Sequence, residues 1–460
     1  MENKMTDTKT LIENLARESY DKGGFTGAWL YAENGKVVSR GAAGFRDPGD
    51  TLPITEDTVF QLASVSKQFT AAAVMLMVRK GAFSLEDEIT KFFPEIPYPG
   101  VTVRHLLTHT GGVPDYFDDE DWFINIWKNE KRIPGNDEIL RFLCETKLKA
   151  VGAPGEKFEY SNTGYNLLAL LVERVSGVPF EDFLQKNIFA PAGMSSTRCC
   201  HTRRDGIPFE NYARAAVLEN GKYVADVDSA EYGEVAAFDG LNGDDYVYTT
   251  VSDMLTWDRA LREGKVLTPE EQQVMYTPVV LSSGETYADD DGEGYGFGWG
   301  VMKDPELGLI VSHSGGMPGV DTWYERFIDA DRTLVILSSR DLLDARAYYG
   351  FFSALREIAK GKEPKPIRTI EDIEVKNPDR SKWESFCGKY EHPEDAGFIV
   401  DEVYMKDGGL YAKAVNDDGD NLDFRLYPIG EDEFGRKGGM LELKFGDSCL
   451  MFDGYTCKKL

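Results

Sequence analysis

The chain has 460 residues, 42% of them apolar, and 51 basic residues stand against 79 acidic ones for a net charge of −28. That is enough apolar material for two or three domains with large cores. The acidic balance argues against non-specific binding to nucleic acid or to an anionic membrane.

The first twenty residues carry charges throughout, unlike a secretory leader, and the longest apolar run is too short to span a bilayer. A cytoplasmic protein is expected. Six cysteines without Cys-x-x-Cys spacing, and five histidines that do not pair with them at ligand spacing, point to free thiols in a reducing compartment and to no metal or other cofactor.

In chain order, Leu11, Ile12, Leu15 and Ala16 recur among charges and predict an amphipathic helix over 8–21. Apolar runs at 27–32 and 36–41 flank Asn34-Gly35, a hairpin signal. A polar loop then leads to Phe60-Gln61-Leu62-Ala63-Ser64-Val65-Ser66-Lys67. This stretch predicts an extended approach, a turn at Ser64 and a buried helix ending at Gly81. Ser64 and Lys67 are three apart, so a hydroxyl and an amine share one helix face. At a helix N-terminus the unpaired N–H groups favour negative charge. Together these features describe an activated nucleophile beside a site for an oxyanion.

Residues 103–113 predict a helix stopped by Gly111-Gly112, with His105 and His109 one turn apart as packed or hydrogen-bonded structural residues. The region 80–250 is mainly helical and includes a helix over 167–175 stopped near Gly177. Asp244 and Asp245 are expected to border a cleft or to form a solvated turn. From Tyr295-Gly296-Phe297-Gly298-Trp299 the pattern turns to strands, with runs at 309–313, 319–327 and 333–339. A helix follows over 342–358.

Strands thus open and close the first 360 residues. The expected fold is α+β, with a first domain over 1–365. Its antiparallel sheet is built from both ends of the domain, with helices on its faces and an inserted helical region. Gly361 to Pro366 is a linker by composition. Short aromatic strands separated by Gly/Asp turns then predict a small antiparallel β domain over 366–460.

Two further stretches supply partners for Ser64: Tyr160-Ser161-Asn162, and His313-Ser314-Gly315-Gly316 at the end of a predicted strand. The order Ser-x-x-Lys, Tyr-x-Asn, Lys/His-x-Gly resembles that of the serine β-lactamase-like superfamily. Within it, the chain is similar to the branch of class C β-lactamases, D-alanyl-D-alanine carboxypeptidases and esterases. The stretches 105–112 and 295–299 look like that family too, and the resemblance covers about residues 10–345. More weakly, the C-terminal β domain is similar to the lipocalin-like appendages of some peptidases in the family.

The resemblance implies that Ser64 forms an acyl-enzyme and that Lys67 and Tyr160 are a coupled acid/base pair. It assigns substrate binding to Asn162, His313, Ser314 and Gly315, and an oxyanion hole to the backbone N–H groups of Ser64 and Gly316. A glycine at 316 is expected to allow close backbone approach. Class C enzymes carry lysine where His313 stands. Histidine is mostly neutral at pH 7 when unperturbed. The expected substrate therefore moves from β-lactams toward a small molecule or short peptide cleaved at an amide or ester. A serine hydrolase of D-aminopeptidase, carboxypeptidase or esterase type is expected. The alternatives are a β-lactamase and a non-catalytic penicillin-binding-like protein.

Overall fold

The computed structural model describes residues 2–393, 396–416, 419 and 421–460, with side chains from residue 7 onward. It divides into two compact units, Met1–Thr10 with Thr26–Asp341, and Leu11–Phe25 with Leu342–Leu460.

The first unit is organised on a seven-stranded antiparallel sheet. The hairpin at Asn34-Gly35 forms as the sequence predicts, joining β1 (Gly27–Glu33) to β2 (Lys36–Ala43). Short strands follow at β3 (Phe60–Gln61), β4 (Arg198–Cys199), β5 (Ala216–Glu219), β6 (Lys222–Ala225) and β7 (Val247–Thr249). The C-terminal half supplies β8 (Gly294–Tyr295), β9 (Gly300–Asp304), β10 (Gly308–Met317), β11 (Val320–Phe327) and β12 (Arg332–Ser338). The order in the large sheet is β2-β1-β12-β11-β10-β9-β8. Its first strand pairs with its last, from Gly27 opposite Ser338 to Glu33 opposite Arg332. A second sheet, β3-β7-β4, lies beside the turn at Ser64.

Buried strands need cover on both faces. The helix Val251–Arg262 packs on β1 and β12. Behind it sits a buried ion pair: Arg326 of β11 donates from Nε to Asp258 Oδ1 (2.7 Å) and from Nη1 to the Tyr276 hydroxyl (2.7 Å). Arg262 Nε donates to the other Asp258 oxygen (2.6 Å). The inserted helical layer is centred on Lys67–Arg79, whose first eleven residues are all buried. A helix apolar on every side belongs inside a protein. This one packs against Asn162–Ser176 and, through Phe69, against Phe189 and Trp257.

The predicted helix over 103–113 is shorter than expected, Val103–Leu107. Thr108 ends it, and His109 turns into the left-handed region at φ 55°. The two histidines therefore do not share a helix face. His105 caps its own helix by accepting from the Thr102 N–H through Nδ1 (3.2 Å), while His109 is directed elsewhere.

In the second unit, the helix Ala345–Ala359 groups with the C-terminal strands, and so does Leu11–Phe25. Ser19 Oγ donates to the Ala347 carbonyl (2.8 Å), and the Phe25 and Phe351 rings lie 5.3 Å apart. Eight short strands from Gly388 to Lys458 then pair in sequence order as an antiparallel meander. The meander curls until Tyr390 bridges Lys459, near its two ends. Buried and exposed residues alternate along Gly409–Val415, which places one face on a core of Trp383, Phe386, Phe434 and Phe445. The predicted small β domain is thus a curled, lipocalin-like sheet. Among the described residues, no helix is long and apolar enough to cross a membrane.

Candidate active site

The turn at Ser64 is clamped from two sides. On one, the Leu62 N–H donates to the Val247 carbonyl of β7 (2.9 Å), and Ser66 Oγ accepts from the Val247 N–H (3.1 Å). On the other, Thr322 of β11 donates through Oγ1 to the Leu62 carbonyl (2.7 Å). Held this way, Ala63 takes a left-handed backbone at φ 47° while fully buried. For a residue with a Cβ this costs about 1–3 kcal/mol, and it persists only where the surroundings impose it. Ser64 follows in a single 3₁₀ turn, Ala63–Ser66, and Lys67 opens the α-helix. The nucleophile candidate therefore precedes the α-helix instead of beginning it.

Lys67 is completely buried, at 0% exposure. Its Nζ donates to Ser64 Oγ (3.0 Å), to Asn162 Oδ1 (2.7 Å) and to the backbone carbonyl of Asp244 (3.1 Å). Asn162 is the first residue of its own helix, capped by Ser161, whose Oγ accepts from the Gly164 N–H (3.3 Å). The Asn162 N–H donates to the Asp115 carboxylate. Tyr160 is 37% exposed, its ring centroid 4.8 Å from Lys67 Nζ and its face stacked on His109 at 4.2 Å.

The opposite wall is the end of β10. Ser314 and Gly316 are exposed, and Gly315 between them is buried. A Cβ on Gly315 would stand 2.3 Å from the Leu62 carbonyl oxygen and 2.5 Å from Thr322 Oγ1. A Cβ on Gly316 would meet nothing within 4 Å. The close packing at 315 seats β10 against the turn that carries Ser64, and the backbone at 316 is left open. At Gly298, where φ is 75°, an added Cβ would likewise stand 2.9 Å from the Lys67 carbonyl oxygen.

From this packing, Gly315→Ala is expected to lower activity about 100-fold, because a misplacement of about 1 Å at reacting atoms has that effect. It should also destabilise the first unit by about 1–3 kcal/mol through overpacking. Steady-state kinetics alongside urea unfolding test both. Wild-type activity in the variant would show that β10 and the Ser64 turn are not mechanically joined.

His313 is buried, and both ring nitrogens are engaged within the protein. Nε2 lies 2.9 Å from the Tyr295 hydroxyl and Nδ1 lies 2.6 Å from the Ser314 carbonyl. Burial, reinforced by the Lys67 charge, pushes its pKa down to about 4. The position that carries lysine in class C enzymes thus holds an uncharged ring at neutral pH.

A group of acidic residues lies behind Lys67, and the sequence pointed to two of them without their burial. Asp244 (2% exposed) and Asp245 (8%) are buried and do not form a solvated turn. Asp244 accepts from the Tyr116 hydroxyl (3.1 Å) and from Asn166 Nδ2 (2.5 Å). Asp245 accepts from Gln61 Nε2 (3.2 Å) and from the Tyr246 N–H. Burial raises Asp244, raises Asp245 to about 7 with help from the neighbouring Asp244 charge, and raises Asp115 to about 6. The available signal was their place beside the apolar run Tyr246-Val247-Tyr248, next to a strand with no solvated face.

Comparison with known proteins bears on the family and the fold. The beta-lactamase family profile matches residues 12–353. The chain is 33% identical over 446 residues to penicillin-binding protein 4* of Bacillus subtilis (strain 168), covering 96% of this chain and 94% of that one. Among solved structures, the octameric penicillin-binding protein homologue from Pyrococcus abyssi superposes with a TM-score of 0.67 at 24% identity, covering 98% of this chain and 99% of that one. D-amino acid amidase from Ochrobactrum anthropi SV3 superposes with a TM-score of 0.60 at 23% identity, covering 77% and 97%. At these identities the two structures speak for the fold.

Proposed function

This chain belongs to the beta-lactamase family, and on that premise we propose that it is a serine hydrolase that forms an acyl-enzyme at Ser64 and cleaves a small peptide, amide or ester. The observation that carries the proposal is the threefold coordination of Lys67. Two of its partners, Asn162 Oδ1 and the Asp244 carbonyl, are oxygens that only accept. A lysine amine has two N–H bonds, and these two oxygens take both. Its lone pair is then left facing Ser64 Oγ at 3.0 Å. The amine form of Lys67 is therefore aimed to receive the Ser64 proton as the oxygen attacks a carbonyl.

Tyr160, with its ring centroid 4.8 Å from the same nitrogen, is the partner that shares this proton and passes it to the leaving group. Asn162 holds Lys67 through its oxygen, which leaves its NH₂ for a substrate carbonyl. The Ser64 and Gly316 N–H groups receive the oxyanion, with Ser314 and Gly315 alongside the bound substrate. The neutral His313 offers no cation to a substrate carboxylate, which supports peptides, amides and esters over β-lactams. D-amino-acid derivatives fit by similarity to the amidase and to the penicillin-binding relatives. Six free thiols support a reducing, cytoplasmic setting.

The test is intact-mass analysis after incubation with a fluorophosphonate, and separately with benzylpenicillin. One adduct at Ser64, absent from Ser64→Ala, is expected with the fluorophosphonate. Rapid turnover of a chromogenic cephalosporin would make the protein a β-lactamase. Labelling and hydrolysis that persist in Ser64→Ala would remove Ser64 as the nucleophile.

A further inference from the structure

Tyr295 stands between two buried histidines from distant parts of the chain. Its hydroxyl lies 3.2 Å from His109 Nε2 and 2.9 Å from His313 Nε2. The outer nitrogens of both rings meet backbone groups whose polarity is fixed. His109 Nδ1 faces the Ser161 N–H at 3.0 Å, a group that only donates. His313 Nδ1 faces the Ser314 carbonyl at 2.6 Å, a group that only accepts. With both rings uncharged, these two ends fix which nitrogen of each ring carries its hydrogen, and the Tyr295 hydroxyl also meets that of Tyr165. His109 accepts at Nδ1, so its hydrogen is on Nε2 and points to the Tyr295 oxygen. His313 carries its hydrogen on Nδ1, so its Nε2 is bare and accepts the Tyr295 O–H. The chain runs in one direction: Ser161 N–H, His109, Tyr295, His313, Ser314 C=O.

The groups around this chain favour the same uncharged arrangement. Lys67 is the cation whose charge lowers the pKa of both rings, after burial. Tyr165 lies 5.0 Å from His109 ring to ring and donates its own hydroxyl to the Leu107 carbonyl (2.8 Å). Phe158 and Tyr160 flank His109 at 5.7 Å and 4.2 Å. Glu293, two residues before Tyr295, accepts from Ser312 Oγ (3.3 Å). Neither ring has a carboxylate in hydrogen-bonding contact to hold it as a cation.

The relay joins the two walls of the cleft. Ser161 lies between Tyr160 and Asn162, which both contact Lys67. Ser314 lies two residues before Gly316. Tyr160 also meets His313 ring to ring at 6.4 Å, while the hydrogen-bonded link between the Tyr160–Asn162 segment and the end of β10 runs through Tyr295. We propose that Tyr295 is a positioning residue that holds the acid/base wall and the oxyanion wall at a fixed separation through this one-directional hydrogen-bond relay. It rests on the hydrolase proposal only for its kinetic consequence, since the relay stands whatever the substrate.

Two measurements separate the relay from the hydrolase proposal. In long-range ¹H–¹⁵N spectra of the ¹⁵N-histidine protein at pH 7, His109 is expected as the Nε2–H tautomer and His313 as the Nδ1–H tautomer. Assignment uses His109→Asn and His313→Asn. Any other tautomer pair, or a charged ring, overturns the relay. The second is the rate of fluorophosphonate labelling of Tyr295→Phe across reagent concentrations. The limiting rate is expected to fall about tenfold or more while half-saturation moves less than about threefold, because loss of alignment acts on the reacting geometry. A limiting rate within about threefold of wild type overturns the positioning role. If Tyr295→Phe does not fold, the tautomers of the wild-type protein still decide the relay. If wild type fails to label while the tautomers are as expected, the hydrolase proposal falls and the relay stands.

Discussion

Lys67→Met is expected to lower hydrolysis about 10³-fold, the scale for removing a general base that acts as a unit with its nucleophile. Methionine keeps the stem and volume of Lys67, so the all-buried helix Lys67–Arg79 loses no packing. What it removes is the amine that lies 3.0 Å from Ser64 Oγ. The effect on folding should be small by comparison, because two terms oppose. Asn162 Oδ1 and the Asp244 carbonyl lose a donor, at about 1–3 kcal/mol each if left dry. A cation with no exposed surface no longer has to be desolvated. Activity that falls with little change in unfolding midpoint is the expected pairing. A Lys67→Met protein hydrolysing esters within tenfold of wild type would show that another base takes the Ser64 proton.

The largest effect on stability is expected at Asp258→Asn, on the helix Val251–Arg262. Asp258 is fully buried and receives both Arg326 and Arg262. Removing the carboxylate charge leaves the Arg326 guanidinium, itself only 4% exposed, uncompensated in the interior. Breaking a buried pair from one side destabilises by about 3–5 kcal/mol. Exchanging both partners for apolar residues of similar size, as in Asp258→Leu with Arg326→Met, should recover most of that loss. Urea unfolding of the single and double variants tests both statements. An Asp258→Asn protein within about 1 kcal/mol of wild type would mean that water reaches Arg326.

Much of the site was legible because its chemistry is spaced along the chain in short groups. Ser64 and Lys67 are close for a local reason, the pitch of one turn, and the structure puts them in hydrogen-bond contact. The β1–β2 hairpin and the late strands were equally local, each announced by alternation and by glycine turns. What was not legible depends on which loop is buried. Asp244 and Asp245 look like a polar turn by composition, and only the packing of β7 against the Ser64 turn encloses them. His109 appears helical from its spacing to His105, but the chain turns left-handed there and aims the ring at Tyr295, far along the sequence. The strain at Ala63 has no sequence mark: it follows from the close packing of the turn on β10, where a Cβ on Gly315 would stand 3.0 Å from the Ala63 Cβ.

The adjacency of β1 and β12 governs when the molecule can become active during synthesis. Ser64, Lys67, Tyr160 and Asn162 all leave the ribosome well before β10, β11 and β12. β12 belongs between β1 and β11, so the sheet waits for its last strand. Until then Gly315 and Gly316 have no platform to be held on, and Leu62 lacks its partner on Thr322. Long-range pairing of this kind forms late and slowly. A nascent or truncated chain therefore carries Ser64 and Lys67 without the β10 wall that faces them in the finished sheet.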